Sequence, residues 1–350
     1  MLNDDVKWGS FILSDVFEIT STKSGIDKNK IKNIELQGNN PYITRTDRNN
    51  GFDLFITEQD YELNEGNVIS IGLDTQTVFY QPHSFYTGQN IQILNNEHLN
   101  KYNSLFLVTL LKIVLEKFNW GGNGATLTRL KNSRILLPVN SNNEPDYEFM
   151  TDFMKEIEKQ QISKYEDHLS NLKSSNWGGA ISNLNSVKWK EFNLHDLFPN
   201  IQRGKRLIRT NFLEGNIPFI SSSSLSNGVD SFIGNSENIR NFNNCLTLAN
   251  SGSVGSTFYH PYDFVASDHV THLKNEDFNK YVYLFIATMT KRLSEKYNFN
   301  REINDQRLKR ETIILPVDDE GNPDYEYMEQ YMINIEIQFL EKYLNYIKNN

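Results

Sequence analysis

The 350-residue chain has 38% hydrophobic, 23% charged and 12% aromatic residues, a composition typical of globular proteins that excludes a disordered chain. Its net charge of −9 excludes a surface coated in positive charge for non-specific nucleic-acid binding, although a local basic groove is compatible with that total. The length predicts two ordinary domains.

The cysteine content and the apolar runs indicate the compartment. Cys245 is the single cysteine, so the chain has no internal disulfide. The N-terminus lacks the apolar core of a secretory signal, and the most apolar run, residues 105–115, is shorter than the roughly 18 residues of a membrane span. We therefore expect a soluble protein of the reducing cytoplasm.

The chain contains an internal duplication. An opening block returns at unchanged spacing, with Val6-Lys7-Trp8, Phe11, Leu13, Asp15 and Phe17 in the first copy and Val187-Lys188-Trp189, Phe192, Leu194, Asp196 and Phe198 in the second. A closing block of Leu-Pro-Val and Pro-Asp-Tyr-Glu occupies residues 137–148 and 315–326. The period of about 180 residues far exceeds the roughly 20–50 of solenoid repeats, so each copy should be a complete domain.

Within each copy the pattern predicts strands first and helices later. The predicted elements are strands at residues 67–73, 77–80 and 90–94, a helix at about 102–117 with a counterpart at about 281–297, and long closing helices at 148–173 and 326–348. Pro-Asp precedes each closing helix and suits a helix N-terminus. A Ser, Asn and Gly rich stretch at residues 175–186 predicts the linker between the domains.

The two closing helices carry apolar faces that must be buried. Each packs either on its own domain or on the other helix, antiparallel, and we favour the second arrangement. At about 1.5 Å per residue, roughly 24 residues span about 36 Å, close to the roughly 34–36 Å of one DNA turn. Such a helix pair would set the distance between the two domains.

The repeated blocks resemble a known family. Each copy opens with Trp-x-x-Phe-x-Leu-x-Asp-Val/Leu-Phe and ends in a helix, as do the specificity subunits of Type I restriction-modification systems and their Type IIB relatives. The resemblance covers nearly the whole chain. The Leu-Pro-Val and Pro-Asp-Tyr-Glu blocks resemble the Type IIB branch most, and the choice between Type I and Type IIB stays open.

This resemblance implies an α+β fold of two homologous target-recognition domains, related by a pseudo-two-fold axis and joined by long helices that pack as an antiparallel coiled coil. The implied boundaries are domain 1 at residues 1–147, spacer helix 1 at 148–174, the linker at 175–186, domain 2 at 187–325 and spacer helix 2 at 326–350. The resemblance makes structural markers, not DNA readers, of Trp8, Phe11, Leu13, Phe17, Trp189, Phe192, Leu194 and Phe198.

The resemblance also implies a function and partners. In that family each repeat reads one half of a split DNA sequence in the major groove, while the helices fix the gap and dock methyltransferase-bearing subunits. We therefore expect double-stranded DNA and methyltransferase or fused methyltransferase-nuclease subunits as partners, and no membrane. S-adenosylmethionine and Mg²⁺ are expected in the partner subunits, with no cofactor in this chain.

The sequence lacks the motifs of a self-contained enzyme. Asn40-Pro41-Tyr42 lacks the second Pro of a methyltransferase motif, and Ile217-Pro218-Phe219 lacks its polar residue. Residues 121–124 have no Lys-Ser/Thr after them, so this glycine-rich stretch is interpreted as a flexible loop. No Glu-x-Lys follows the two Pro-Asp steps, so a helix cap explains them better than a nuclease site. With one cysteine and only His269 and His272 closely spaced, no metal site is expected.

Cationic and hydrogen-bonding residues cluster at equivalent places in the two copies. The candidate DNA-binding residues are Lys23, Arg45, Thr46, Arg48, Asn49, Asn50, Arg129, Lys131 and Arg134 in the first copy, and Arg203, Lys205, Arg206, Arg209, Ser221, Ser222, Ser223, Ser224, Asn227, Arg301, Arg307, Lys309 and Arg310 in the second. The preferred base readers are Arg45, Arg48 and Asn49, against Ser222, Ser223 and Asn227. Any one of these residues is explained equally well by an ordinary solvated loop, so the prediction rests on the clusters.

Two further function classes are compatible with parts of the sequence. The many aromatic, Asn and Ser residues also suit a duplicated carbohydrate-binding or phage-surface-binding protein. A self-contained nuclease is disfavoured because the catalytic lysines are missing. Salt dependence separates a DNA-binding protein from a carbohydrate-binding protein, since DNA affinity falls steeply as the salt concentration rises and sugar binding hardly responds.

Overall fold

The computed structural model describes residues 6–118, 124–174, 183–298 and 300–349. The chain divides into two compact units, Met1–Ser163 and Lys164–Asn350. Residues 121–123 of the glycine-rich loop and residues 175–182 of the predicted linker lie outside the described residues. No helix in the described ranges combines the length and the hydropathy that a membrane span requires.

The first unit contains two sheets, a two-stranded ribbon and four helices among its described residues. Its elements are β1 (Trp8–Ile12), α1 (Leu13–Val16), β2 (Glu18–Ser21), β3 (Asn40–Ile43), β4 (Phe52–Ile56), β5 (Val68–Gly72), β6 (Val78–Gln81), β7 (Tyr86–Thr87), β8 (Ile91–Asn95), α2 (Lys101–Leu115), α3 (Leu127–Lys131), β9 (Arg134–Pro138) and α4 (Tyr147–Ser174). The order β2-β8-β5-β6 forms an antiparallel sheet, and β4-β3-β7 forms a mixed sheet in which β3 and β7 are parallel. The three predicted strands of this copy are confirmed.

The second unit repeats this architecture. Its elements are β10 (Trp189–Asn193), α5 (Leu194–Leu197), β11 (Asn200–Arg203), β12 (Ile217–Ile220), β13 (Val229–Ile233), β14 (Asn241–Phe242), β15 (Cys245–Ala249), β16 (Thr257–His260), β17 (Phe264–Ala266), β18 (Val270–Lys274), α6 (Lys280–Thr290), α7 (Leu293–Lys296), α8 (Asp305–Leu308), β19 (Thr312–Pro316) and α9 (Tyr325–Lys348). Its sheets have the orders β11-β18-β15-β16 and β13-β12-β17-β14. The strand order therefore matches that of the first unit, with β14 as an added edge strand.

The ribbon of β1 and β9 joins the two ends of the first copy. Trp8 lies opposite Pro138 in an antiparallel register, and Trp189 of β10 lies opposite Pro316 of β19 in the same way. The opening and closing blocks that recur in the sequence therefore pair with each other. This pairing explains why both blocks are duplicated at fixed spacing.

The antiparallel sheet is the middle layer of the first unit. Ile69 and Ile71 pack in one core with Leu107 of α2, whereas Val68 packs on the opposite side with Ile43 of the mixed sheet. Successive residues of a strand point to opposite faces, so a strand covered on both faces is buried throughout, as β5 is. Each such aliphatic side chain contributes about 1.5–3 kcal/mol through burial.

The helix that follows the strands differs between the two units. In the first unit α2 is continuous, as predicted. In the second unit α6 ends at Thr290 and α7 begins at Leu293, so the single helix predicted at residues 281–297 is wrong. At the end of α6 the Thr290 hydroxyl donates to the carbonyls of Ile286 and Ala287, both at 3.1 Å.

The long helices α4 and α9 confirm the closing helices predicted from the sequence. Asp146 accepts a hydrogen bond from the Phe149 amide at 2.9 Å, and Asp324 accepts one from the Tyr327 amide at 2.9 Å. Each carboxylate therefore satisfies a free donor of the first helical turn, which is the capping role expected of the Pro-Asp steps.

Helix α4 packs on different surfaces along its length. Its first part packs on the core of the first unit through the fully buried Met150. Its residues 164–174 belong to the second unit, where Glu166 pairs with Lys348 at 3.0 Å and Lys173 pairs with Glu341 at 2.5 Å. Moving from residue 166 to residue 173 of α4 corresponds to moving back from residue 348 to residue 341 of α9, so these two segments of the second unit run antiparallel. Both arrangements considered from the sequence therefore occur, on different parts of one helix.

Candidate nucleic-acid interface

Three segments of the first unit meet around one edge, which we call rim 1. Rim 1 consists of residues 44–51 between β3 and β4, residues 73–77 between β5 and β6, and residues 124–131 through α3. Arg45 forms an ion pair with Asp74, and the Ala125 amide donates to the Leu73 carbonyl at 3.1 Å. The two clusters predicted in this copy, at residues 45–50 and 129–131, are thus brought together by the turn between β5 and β6.

The first segment of rim 1 is a rigid left-handed turn. Asn49, Asn50 and Gly51 have φ of 48°, 55° and 79°, a region that Asn and Gly tolerate better than other residues. The Gly51 amide donates to the Arg48 carbonyl at 2.8 Å, and Gln81 Nε2 donates to the Asn50 carbonyl at 3.0 Å. The backbone is therefore fixed, while the side chains of Arg48, Asn49 and Asn50 are exposed.

The cations of rim 1 differ in how they are held. Arg129 donates to the Gly124 carbonyl at 3.0 Å, and Arg45 is held by Asp74. Arg48 and Lys131 are exposed and have no side-chain partner within the described ranges of the chain. Rim 1 therefore presents both partnered and exposed, unpartnered positive charges among its described residues, beside exposed amides, a combination that suits phosphate and base contacts.

The second unit builds an equivalent edge, which we call rim 2. Rim 2 consists of residues 221–228 between β12 and β13, residues 250–256 between β15 and β16, and residues 300–310 through α8. Ser226, Asn227 and Gly228 repeat the left-handed turn with φ of 48°, 53° and 80°. The Ser253 amide donates to the Ser222 carbonyl at 3.0 Å, so the first two segments touch.

Backbone hydrogen bonds establish which residues of the two rims are equivalent. The Leu73 amide donates to the Asn90 carbonyl at 2.9 Å, and the Asn250 amide donates to the His269 carbonyl at 2.8 Å. Ile303 donates to the Asn250 carbonyl as Ala125 does to that of Leu73, each at 3.1 Å. The β15–β16 turn spans residues 250–256 against 73–77 for β5–β6, so the two rims share a frame but differ in turn length.

Arginines dominate rim 2. Arg203 donates to Asp305 at 2.8 Å, Arg307 donates to the Glu302 carbonyl at 2.6 Å, and the Arg301 guanidinium lies 5.2 Å from the centre of the Tyr297 ring. Arg206, Lys309 and Arg310 are exposed without a side-chain partner in the part of the chain that the structure describes. Of the predicted cations at residues 203–206, Arg203 is thus brought to the cations at residues 301–310.

Four predicted residues are engaged elsewhere in their own units. Lys23 pairs with Glu62 at 3.0 Å and Glu65 at 3.6 Å, and the hydrogen bond to Glu62 raises the pKa of Lys23. The other three contacts are those of Lys205 with Asn238 at 3.2 Å, Arg134 with Ser10 at 2.9 Å and Arg209 with Asp230 at 2.9 Å.

The ion pair of Arg209 has a counterpart in the first unit, where Lys28 pairs with Asp53 at 2.7 Å. Both pairs join a short 3-10 turn to a strand of the mixed sheet, β4 in the first unit and β13 in the second. Recurrence of this pair at equivalent positions of both units favours a structural role for Arg209.

The sequence reasoning missed several residues of the two edges. Asp74 and Ser251 lie two residues after β5 and β15, and Asn90 and His269 directly precede β8 and β18; none of the four carries a fixed positive charge. Arg240 donates to the Arg203 carbonyl at 2.6 Å beside rim 2 and lies outside every sequence cluster. The available signal was a polar residue close to the end of a largely buried strand.

The described residues offer little to a metal ion. No group of three or more His, Cys, Asp or Glu side chains in the described ranges could hold one. Asp146 and Asp324, the acidic residues that suggested a nuclease, are occupied as helix caps. The two rims are surfaces of exposed polar and cationic side chains.

Comparison with protein families shows which family the chain belongs to. The model of the Type I restriction modification DNA specificity domain matches the chain twice, at residues 5–166 and 186–348. The chain belongs to this family. Its two matches coincide with the two copies of the duplication, so each copy is one specificity domain.

The specificity domains of this chain have similar relatives. The Type II restriction enzyme BgcI specificity subunit S.BcgI of Heyndrickxia coagulans is 34% identical over 344 residues, covering 96% of either chain. A Type-I restriction-modification system S subunit from M. genitalium is 16% identical, with a TM-score of 0.43 over 100% of this chain and 93% of that one. The HsdS subunit from Thermoanaerobacter tengcongensis is 12% identical, with a TM-score of 0.31 over 98% and 91% of the two chains.

Proposed function

We propose that each unit of this specificity subunit binds one half-site of a bipartite DNA target, while partner subunits carry out methylation and cleavage. The observation that carries the proposal is the repetition of one rim. Rim 1 and rim 2 have the same backbone frame and the same left-handed turn, but their exposed side chains differ. A shared frame with different side chains is what two readers of different sequences need.

The distribution of charge supports DNA as the ligand. The chain carries a net charge of −9, yet both rims gather arginines and lysines beside exposed Asn and Ser side chains. Phosphate contacts by such cations set the register of a protein on the duplex, and amide, hydroxyl and guanidinium groups read base edges in the major groove. Within the proposal, Arg45, Arg48 and Asn49 in rim 1 and Ser222, Ser223 and Asn227 in rim 2 remain the preferred base readers.

The long helices are proposed to dock the partner subunits. A specificity subunit of a Type II restriction enzyme is similar to this chain along nearly its whole length, and such a subunit works within a larger enzyme. Methyltransferase or fused methyltransferase-nuclease subunits would hold S-adenosylmethionine and Mg²⁺ and supply the chemistry. This chain would supply the DNA sequence specificity.

Salt dependence tests the class of ligand. If the ligand is DNA, the logarithm of the binding constant should fall linearly with the logarithm of salt concentration, by about 0.9 for each phosphate neutralised, because counterions are released. Titrating a duplex that the subunit selects, at several salt concentrations, measures this slope. A flat response would favour the carbohydrate-binding or phage-surface-binding alternative.

Removal of two arginines tests the half-site assignment. Replacing Arg45 and Arg48 by Ala should weaken binding through the first half-site only, by roughly 5- to 150-fold for each residue that reads a base. Duplexes with one half-site scrambled measure each unit in turn. The matched control replaces Lys28 and Lys32 by Ala, since these cations of the same unit are paired with Asp53 and Asp60. Loss of both half-sites in the Arg45/Arg48 variant would contradict the assignment.

A further inference from the structure

Three side chains of the first unit form a small polar network. The Arg45 guanidinium forms an ion pair with the Asp74 carboxylate, and Asn90 Nδ2 donates to the same carboxylate oxygen at 3.3 Å. The three residues come from the loop after β3, the turn after β5 and the residue before β8. Arg45 keeps 39% of its side chain exposed, against 23% for Asp74, so the cation is the more exposed partner.

The equivalent positions of the second unit carry a different network. Asn250 and His269 occupy the frame of Leu73 and Asn90, which places Ser251 at the position of Asp74. Ser251 Oγ lies 2.6 Å from His269 Nδ1, and Ser222 replaces Arg45. An ion pair with an amide in one unit is therefore matched by hydroxyls and an imidazole in the other.

One ion pair outside the rims occurs in both units, which indicates that it maintains the shared backbone structure. The ion pair of Lys28 with Asp53 recurs as Arg209 with Asp230, with only the cation changed. The ion pair of Arg45 with Asp74 on rim 1, in contrast, is replaced by the contact of Ser251 with His269 at the equivalent place of the second unit. Within one chain, the duplication thus distinguishes pairs that hold the fold from pairs that the fold does not need.

The ion pair of Arg45 has little value for stability. A partly exposed pair of this kind contributes about 0–1 kcal/mol, because water screens it and two side chains lose freedom. A carboxylate that engages one edge of a guanidinium does fix the direction of its remaining N–H donors. Bidentate recognition of guanine O6 and N7 by arginine depends on that direction.

We propose that Asp74, held by Asn90, is a positioning residue that orients Arg45 to read one base pair of the first half-site. This inference rests on the proposed function and deepens it. It makes Asp74 a specificity determinant although the residue is acidic and faces an anionic ligand. It also predicts a different base preference for the second unit at the equivalent position, because Ser222, Ser251 and His269 are there.

A double-mutant cycle on the whole chain tests the proposal. The variants are Asp74→Asn, Arg45→Ala and their combination, and each selects bound duplexes from a random-sequence pool. Asp74→Asn should lower the preference at one base pair of the first half-site by roughly tenfold, while binding to non-specific duplex stays equal or rises since a negative charge is lost. Arg45→Ala should lose preference at the same base pair, and the combination should be no worse than Arg45→Ala alone.

The matched control is Asp60→Asn. Asp60 pairs with Lys32 in the same unit. It follows the C-terminal end of β4, whereas residues 44–51 of rim 1 precede the N-terminal end of that strand. This variant removes the same charge from another ion pair and should leave every base preference unchanged. Equal melting temperatures of all variants exclude misfolding as the cause of any loss.

The outcomes separate this inference from the proposed function. Unchanged base preference in Asp74→Asn, or a loss that adds to that of Arg45→Ala, would overturn the positioning role while leaving half-site recognition intact. A wild-type chain that selects no duplex motif would overturn the proposed function itself. A joint loss at one base pair, absent from Asp60→Asn, supports both.

Discussion

Replacing Leu13 by Ala is expected to lower the free energy of unfolding of the first unit by about 2–5 kcal/mol, and that of the second unit hardly at all. Leu13 is fully buried in the core that joins the antiparallel sheet of the first unit to α2 and Met150. Truncation removes three carbon atoms and leaves a cavity that close-packed neighbours cannot fill. Hydrogen exchange measured peptide by peptide reports the stability of each unit.

The duplication supplies the matched variant. Leu194 is the counterpart of Leu13, is also fully buried, and belongs to a core made of residues of the second unit. Leu194→Ala should therefore produce the mirror result, with loss in the second unit alone. Leu13→Met, which nearly conserves volume, should cost less than about 1.5 kcal/mol.

The same variants report on function. Near the unfolding temperature of the weakened unit, Leu13→Ala should lose the first half-site first and keep the second. Equal destabilisation of both units by either change would mean that the two cores do not fold separately. The assignment of one half-site to each unit would then lack its structural basis.

The duplication made much of this fold predictable. A period of about 180 residues indicated two complete domains, and Pro-Asp at the start of each closing helix indicated helix caps. The helix caps depend on residues adjacent in sequence, and the duplication is recognised without knowing which distant residues are in contact. The bounds of α4 and α9 consequently agree with the predicted helices to within one residue.

The rims were only partly predictable, because their contacts are long-range. Arg45 and Asp74 are 29 residues apart, and nothing in either local sequence indicates that they meet. Positive charge located both outer segments of rim 1 and residues 300–310 of rim 2, and a run of Ser with Asn227 located residues 221–228. Positive charge did not locate the middle turns of the rims, since Asp74 and Ser251 carry none. The same charge criterion selected Arg209, whose partner Asp230 is visible only in the structure.

The helix break in the second unit illustrates a further limit. Residues 281–297 have a helical pattern, and Thr is tolerated inside helices at small cost. The Thr290 hydroxyl bonds back to carbonyls of the preceding turn, but the Thr109 hydroxyl bonds back to Leu105 at 3.1 Å inside the continuous α2, so this bond alone does not end a helix. The periodicity of the sequence therefore does not indicate where α6 ends.

Lowering the pH from 7 to 5 is expected to destabilise the second unit by about 2 kcal/mol relative to the first. His260 is fully buried, and burial lowers its pKa from 6.5 to about 4. Because the folded value lies below the ordinary one, protons bind the unfolded chain more tightly. The stability that neutral His260 provides is complete above about pH 6.5 and is lost progressively as the pH falls towards 4.

The difference between the units follows from where histidines are buried. Burial also lowers the pKa of His272, against an opposing hydrogen bond with the Gln202 backbone, so this residue acts in the same direction. The first unit contains only His83 and His98, and both are exposed. Comparison between pH 7 and 5 avoids the range in which ordinary carboxylates become protonated.

The first unit also supplies the substitution that tests the source of this acid sensitivity. Gln81 occupies the position of His260 and donates to Ser70 Oγ at 3.0 Å, where His260 Nε2 lies 2.9 Å from Thr247 Oγ1. His260→Gln should therefore keep a hydrogen bond to Thr247, fold at pH 7, and lose most of the extra destabilisation at pH 5. Hydrogen exchange of β15 and β16 at both pH values gives the measurement. If His260→Gln loses as much stability between pH 7 and 5 as the wild type does, the titrating group is another residue, because glutamine does not take up a proton between these pH values.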